Sequence, residues 1–131
     1  MAITTRLAVP QVVVPIERLD RAALRAMAYA RTMSADVTVV ALARDEDAER
    51  LRAALARRAD GVALIVRRTD GLASYLDERE RADPERPVTV VLSDVVPRRP
   101  WSYALHADAL RLKLRLFFRP NTIVVDVPFH I

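Results

Sequence analysis

The sequence predicts an α/β protein built on a doubly wound, five-stranded parallel sheet with the strand order 3-2-1-4-5. Short apolar runs rich in Val and Ile alternate along the chain with longer segments whose apolar residues recur at spacings of three and four. Strands that alternate with helices in this way form parallel sheets covered on both faces. Right-handed crossovers between the strands then place helices on each face of the sheet.

The first half of the chain contains two predicted strands and two predicted helices. Residues 12–16 are an apolar run that predicts a buried strand. Pro15 indicates that this strand ends nearby, because proline has no N–H to donate to the hydrogen bonds of a β-ladder. Residues 18–33 have the helical period of an amphipathic helix. Residues 37–43 are apolar and β-branched, which predicts a second strand. A second helix begins at Asp45, where acidic residues suit the positive end of the helix dipole.

The second half contains three further predicted strands. Residues 62–66 form the third strand, and Asp70 is a good N-cap for a third helix. Residues 88–92 form the fourth strand, and residues 122–127 form the fifth. In the predicted order, the fifth strand lies at one edge of the parallel sheet.

The segment between the fourth and fifth strands carries two conflicting signals. Residues 110–116 alternate leucine with basic side chains, which indicates a strand. Leu, Arg and Lys are nevertheless helix formers, and no β-branched residue interrupts the run. Ser102 can cap a helix. We favour a fourth helix over residues 102–118.

Composition and motif content exclude several classes of function. The chain has no cysteine, which excludes disulfides, thiolate metal sites and thiol nucleophiles. Two glycines are too few for a glycine-rich phosphate loop. The two histidines, His106 and His130, lie far apart, and no serine occupies a nucleophile elbow. We therefore predict neither a metal site nor an enzyme.

The length of 131 residues suits one compact domain. We assign residues 12–131 to this domain and treat residues 1–11 as a linker or an extra extended segment. No apolar run approaches the roughly 20 residues needed to cross a bilayer, and the first residues lack the apolar stretch of a signal peptide. We therefore expect a cytoplasmic domain.

The net charge of +4 lies entirely in residues 95–131. Residues 1–94 contain 15 arginines and 15 acidic residues, so this larger part of the chain is neutral. A positive patch predicts an anionic partner, such as a nucleotide, a nucleic acid or a membrane face. A solvated helix face is the alternative interpretation.

The predicted topology indicates where a ligand would bind. Open α/β sheets bind ligands beyond the carboxyl ends of the strands, where the strand order reverses. That crevice lies between the loop after strand one, which holds Glu17, and the loop at residues 93–101 after strand four. Arg98 and Arg99 in the second loop suit a phosphate, and Trp101 can stack on a base.

Each of these candidate residues also has a structural interpretation. The loop can be a surface turn in which Trp101 is an apolar plug. His106 lies one turn into the predicted fourth helix, near the same crevice, so it can contact a phosphate or have a structural role.

Motifs near the end of the chain resemble a known family. The topology and the strand motifs resemble the universal stress protein family. More specifically, the chain is similar to the cytosolic C-terminal domain of APC-superfamily permeases, which includes amino-acid permeases and KimA-type potassium importers. The resemblance covers residues 12–131. Its most specific motifs are residues 96–101, 105–106, 109–112, 118–120 and 126–131.

The resemblance implies a regulatory domain attached to a transmembrane transporter at the inner face of the cell membrane. It also implies a homodimer formed through the edge of strand five. Ordinary universal stress proteins bind ATP through a glycine-containing loop after strand four. This chain departs from that pattern, because no glycine lies between Ser93 and Arg119.

The resemblance also assigns positions to the candidate ligand-binding residues. Arg98 and Arg99 fall where the phosphate loop would lie. Glu17 falls at the acidic position after strand one, while Ala41 and Leu42 fall where the backbone meets adenine.

We therefore expect a non-enzymatic domain that senses a nucleotide and has no nucleic-acid partner. Cyclic di-AMP inhibits KimA-type importers, which makes it the favoured ligand, and ATP is the second. A cyclic dinucleotide has two phosphates and two adenines, which suit a dimer with paired arginines. The alternatives are a structural dimerisation module without a ligand and a stress protein that hydrolyses nucleotides.

Overall fold

The computed structural model describes residues 9–58, 62–96, 115–116 and 119–130. Residues 1–8 of the predicted linker lie outside this part, and Val9 and Pro10 precede the first strand. None of the described helices is long and apolar enough to span a membrane. The described elements, in chain order, are β1 (Gln11–Ile16), α1 (Arg21–Met33), β2 (Val37–Leu42), α2 (Asp45–Arg58), β3 (Ala63–Arg67), α3 (Leu72–Ala82), β4 (Val88–Val96) and β5 (Thr122–His130).

The strands form one parallel sheet with the order β3-β2-β1-β4-β5, which confirms the predicted topology. Alternate residues of the central strands face opposite sides, as the pleat requires. Val12 and Val14 pack in a core with α1 and α2, whereas Val13 packs in a second core with α3. Helices therefore cover both faces, and the sheet is doubly wound.

The described pairing of the central strand β1 differs between its two neighbours, β2 and β4. β1 pairs with β2 as far as Ile16, but its described pairing with β4 ends at Val13. Pro15 lies just beyond that point, and proline has no N–H with which to continue a ladder. β4 continues beside β5 to Val96. The described pairing of β1 with β4 therefore ends before the carboxyl edge, at the reversal of strand order where the sequence predicts a crevice.

Helix α1 begins three residues later than predicted. The predicted helix started at residue 18, but the first helical residue is Arg21. Asp20 is the N-cap, and its side-chain oxygen accepts a hydrogen bond from the Ala23 backbone N–H at 2.8 Å. This carboxylate satisfies one of the free amides of the first turn, and so it determines where the helix begins.

The predicted N-cap of the third helix is wrong. Gly71, and not Asp70, is the N-cap of α3, and no side chain caps this helix. The Gly71 N–H donates to the Arg68 carbonyl at 2.8 Å, which closes a tight turn just before the helix. The Gly71 carbonyl then accepts from the Tyr75 N–H at 3.1 Å as the first bond of the helix. Because of this turn, α3 begins one residue later than predicted, and its N-cap is Gly71 and not Asp70.

Strands β4 and β5 are both longer than predicted. Residues 93–96, which were predicted to begin the loop, continue β4 and pair in register with residues 127–130 of β5. Ser93 and Asp94 have low strand propensity, but the neighbouring strand supplies partners for their backbone groups. The loop after β4 therefore begins beyond Val96.

The ambiguous segment before β5 is described at Arg115 and Leu116, and both residues are helical. Leu116 is buried in the core on the α3 face of the sheet, where it joins Leu76 and Val90. The predicted helix over residues 102–118 is confirmed at these two positions. Its other residues lie outside the described part of the chain.

Candidate functional site

A cleft of about 570 Å³ lies beyond the carboxyl ends of three neighbouring strands. Its size falls within the range of ligand pockets, about 300–1,000 Å³. Carboxyl ends of parallel strands meet at one edge of the sheet, and ligands of such sheets bind at that edge. The cleft is lined by Glu17, Arg18, Leu19, Leu42, Ala43, Arg44, Asp47, Arg50, Leu51, Ala54 and Thr69.

The loops that follow the strands position the polar residues of the cleft. Glu17 and Arg18 lie directly after β1, and Thr69 lies after β3. Arg44 lies between β2 and α2, where its carbonyl accepts from the backbone N–H groups of Asp47 and Ala48. These two bonds, of 2.9 and 3.1 Å, start α2 and fix the Arg44 backbone at the rim of the cleft.

One wall of the cleft is apolar. Leu42 and Ala43 are buried at the end of β2, and Leu51 is a partly buried residue of α2 that packs against the core. The small Ala54 side chain lies one turn further along the same helix. A wall of this kind suits the face of a planar ring, because it removes apolar surface from water.

The rim of the cleft carries charges of both signs. Arginines 18, 44 and 50 and acidic residues Glu17 and Asp47 line the cleft, and all five side chains are exposed. The described part of the lining therefore has one more positive than negative charge. Guanidinium groups bind phosphate or carboxylate, and carboxylates accept hydrogen bonds from hydroxyl or amino groups. The arrangement suits a small molecule with a ring, an anionic group and hydrogen-bond donors.

Two of the residues predicted from the sequence lie together in this cleft. Glu17 is exposed at its rim, and Leu42 contributes to its apolar wall. Ala41 is fully buried one residue earlier in β2, in the core with α1 and α2. The other predicted ligand residues lie outside the described part of the chain. They are Arg98, Arg99, Trp101 and His106.

The sequence prediction missed the residues on the α2 side of the cleft. Arg44, Asp47 and Arg50 follow strand two, and Thr69 follows strand three. The rule that ligands bind beyond strand carboxyl ends applies to these strands also. The prediction considered only the two loops at the reversal of strand order, so it did not examine the residues after β2 and β3.

Two other cavities have linings that are less suited to a small ligand with a ring and an anionic group. A shallow one of about 530 Å³ lies at the amino edge of the sheet and includes Asp36 and Arg86. A smaller one of about 200 Å³ lies between α2 and β3 and is largely apolar. Among the described residues, no group of three or more acidic or histidine side chains could hold a metal ion. The cleft at the carboxyl edge is therefore the candidate functional site.

Comparison with protein families identifies a match over nearly the whole chain. The family model described as the KimA potassium transporter C-terminal domain matches residues 8–129, which is nearly the whole chain. No match was found among curated proteins.

Proposed function

The chain belongs to the family of KimA potassium transporter C-terminal domains, and from this premise we propose that it is a cytosolic regulatory domain that senses a nucleotide. It acts on a transmembrane transporter partner at the inner face of the cell membrane. Nucleotide binding changes the state of the domain, and the transporter responds to that change.

The single observation that supports a sensing role is the cleft at the carboxyl edge. Its apolar wall at Leu42 and Leu51 suits a base, and its arginines suit a phosphate. Glu17 can accept a hydrogen bond from a ribose hydroxyl or from an exocyclic amine. The three parts of a nucleotide thus have chemically matched partners within one cleft.

Cyclic di-AMP is the favoured ligand, and ATP is the second. The chain lacks the glycines that a phosphate loop after strand four requires, which disfavours the usual mode of ATP binding. Arg98 and Arg99 replace that loop with guanidinium groups, which bind phosphate through their side chains. A homodimer doubles the number of arginines, in keeping with the two phosphates of a cyclic dinucleotide.

The domain senses its ligand without transforming it. The described residues that line the cleft include two carboxylates, Glu17 and Asp47, but no histidine and no cysteine. Nucleotide hydrolysis requires an activated water or nucleophile and stabilisation of the developing charge. The expected result is no release of ADP, AMP or linear dinucleotide above a buffer blank.

Titration calorimetry with cyclic di-AMP, AMP and ATP tests this function. We expect saturable binding of cyclic di-AMP, weaker binding of ATP and the weakest binding of AMP. Hydrolysis above the blank that is lost in Glu17→Gln would show an enzyme instead. If the parent chain binds none of the three nucleotides, the sensing function is refuted.

One observation favours a second candidate function, a structural dimerisation module without a ligand. β5 is an edge strand of the sheet, and its Ile123 side chain is 51% exposed. Exposed apolar edge strands are usually paired or covered. A domain that dimerises through this edge but binds no nucleotide would hold two transporter chains together.

A further inference from the structure

Three arginines approach the candidate cleft from separate parts of the chain. Arg18 follows β1, Arg44 precedes α2, and Arg50 lies in the second turn of α2. All three side chains are exposed, and none has a hydrogen bond or ion pair with another described residue. The tertiary structure places along one cleft three arginines that are up to 32 residues apart in the sequence.

Several other arginines of the chain have structural roles. Arg67 pairs with Glu78, Arg79 donates to Gln11, and Arg119 pairs with Asp77. Arg57 has no such partner among the described residues, but it lies in the last turn of α2, where its charge suits the negative end of the helix dipole. The three cleft arginines differ from both groups, because they line a cavity and their side chains make no hydrogen bond or ion pair with other described residues.

The surroundings of these arginines favour an anion with a ring attached. Residues of α2 line one side of the cleft, and the acidic residues of its first turn, Asp45, Glu46 and Asp47, offset the positive end of the helix dipole. The guanidinium groups therefore supply the positive charge of the lining. Asp47 and Glu17 reduce the net charge of the lining to one positive. This balance suits a small ligand with one phosphate near the arginines and hydrogen-bond donors near the carboxylates, and it disfavours a long polyanion.

We infer that Arg18, Arg44 and Arg50 form a subsite that binds a phosphate group of the nucleotide. The inference rests on the proposed nucleotide-sensing function and adds to it the residues that bind the phosphate. The base lies against Leu42 and Leu51 in this arrangement. The subsite consists of residues other than Arg98 and Arg99, the pair named from the sequence.

Calorimetry on single variants tests the subsite. Arg44→Ala and Arg50→Ala each remove one guanidinium, and Arg57→Ala is the matched control on the same helix. A charge-assisted hydrogen bond corresponds to roughly a tenfold change in affinity, so each cleft variant should raise the Kd for cyclic di-AMP by about that factor. Arg57→Ala should leave it within about twofold. Thermal unfolding of each variant confirms that the fold is retained.

A second probe, inorganic pyrophosphate, separates the subsite from the nucleotide function. If the parent binds cyclic di-AMP and both cleft variants bind it equally tightly, the subsite is refuted and the sensing function stands. If the parent binds pyrophosphate but not cyclic di-AMP, and both cleft variants bind pyrophosphate more weakly, the subsite is supported and nucleotide sensing is refuted. If the parent binds neither probe, both inferences are wrong.

Discussion

The Arg86 guanidinium donates to the Asp36 carboxylate across 3.1 Å, and so it joins the residues before β4 to those before β2. The same guanidinium donates to the Val9 carbonyl and lies 3.5 Å from the Asp83 carboxylate. The Arg86 backbone carbonyl accepts from the side-chain amide of buried Gln11 at 3.1 Å. One residue therefore fastens the starts of three strands at the amino edge of the sheet, opposite the candidate cleft.

Arg86→Ala should destabilise the fold. The side chain is 27% exposed, so its ion pairs are only partly screened by solvent. Its loss removes two carboxylate contacts and one carbonyl contact, and we expect the free energy of unfolding to fall by about 1–3 kcal/mol. Urea unfolding followed by circular dichroism measures the change.

Arg58→Ala is the control for this prediction, because Arg58 is exposed at the end of α2 and has no ion pair with a described residue. It should change stability by no more than about 0.5 kcal/mol. Equal unfolding midpoints for Arg86→Ala and the parent would show that the amino-edge contacts contribute nothing.

The two aspartates that precede helices should differ in their effect on stability. Asp20 caps α1 through a 2.8 Å bond, so Asp20→Ala should cost about 1 kcal/mol. Asp70 is exposed and is not the cap of α3, so Asp70→Ala should cost less than about 0.5 kcal/mol. Thermal or urea unfolding of the two variants in parallel gives the comparison. A larger loss for Asp70→Ala than for Asp20→Ala would contradict the observed cap positions.

The exposed edge of β5 should form a symmetric dimer, to which strand five and residues 130–131 contribute. Ile123→Lys places a charge on this edge and should shift the chain to the monomer, because an inserted charge opposes edge-to-edge pairing. Sedimentation equilibrium at micromolar concentration measures the mass. A monomeric mass for the parent chain would show that this edge does not dimerise the domain by itself.

The loop arginines should contribute to nucleotide affinity independently of the cleft arginines. A phosphate contact is worth roughly 1.5–3 kcal/mol, so Arg98→Ala or Arg99→Ala should weaken cyclic di-AMP binding by about tenfold or more. Calorimetry measures the affinity. Stability should change by no more than about 0.5 kcal/mol in either variant. Unchanged affinity in both variants would exclude the loop as a phosphate site.

Part of the candidate site was predictable, and part was not. Glu17 was predicted because it follows strand one, at the edge where ligands of open α/β sheets bind, whereas Leu42 was assigned by the family resemblance alone. Arg44 and Arg50 were not predicted as site residues. The local sequence around an exposed arginine in a loop or in the second turn of a helix does not distinguish it from other surface arginines. Only the packing of α2 against the sheet shows that these side chains share one cleft with Arg18.

The sequence by itself determined the alternation of strands and helices, and with it a parallel sheet covered on both faces. This arrangement follows from local periodicity and from the right-handedness of crossovers, which depend on backbone sterics and need no knowledge of distant contacts. The predicted order 3-2-1-4-5 is also confirmed. The tertiary structure decided where β4 ends and which residue caps α3. Residues 93–96 form strand because residues 127–130, more than 30 positions away, satisfy their backbone hydrogen bonds. Gly71 replaces Asp70 as the cap because a backbone turn onto Arg68 sets the start of the helix. In each case a backbone partner outweighed the intrinsic preference of a side chain.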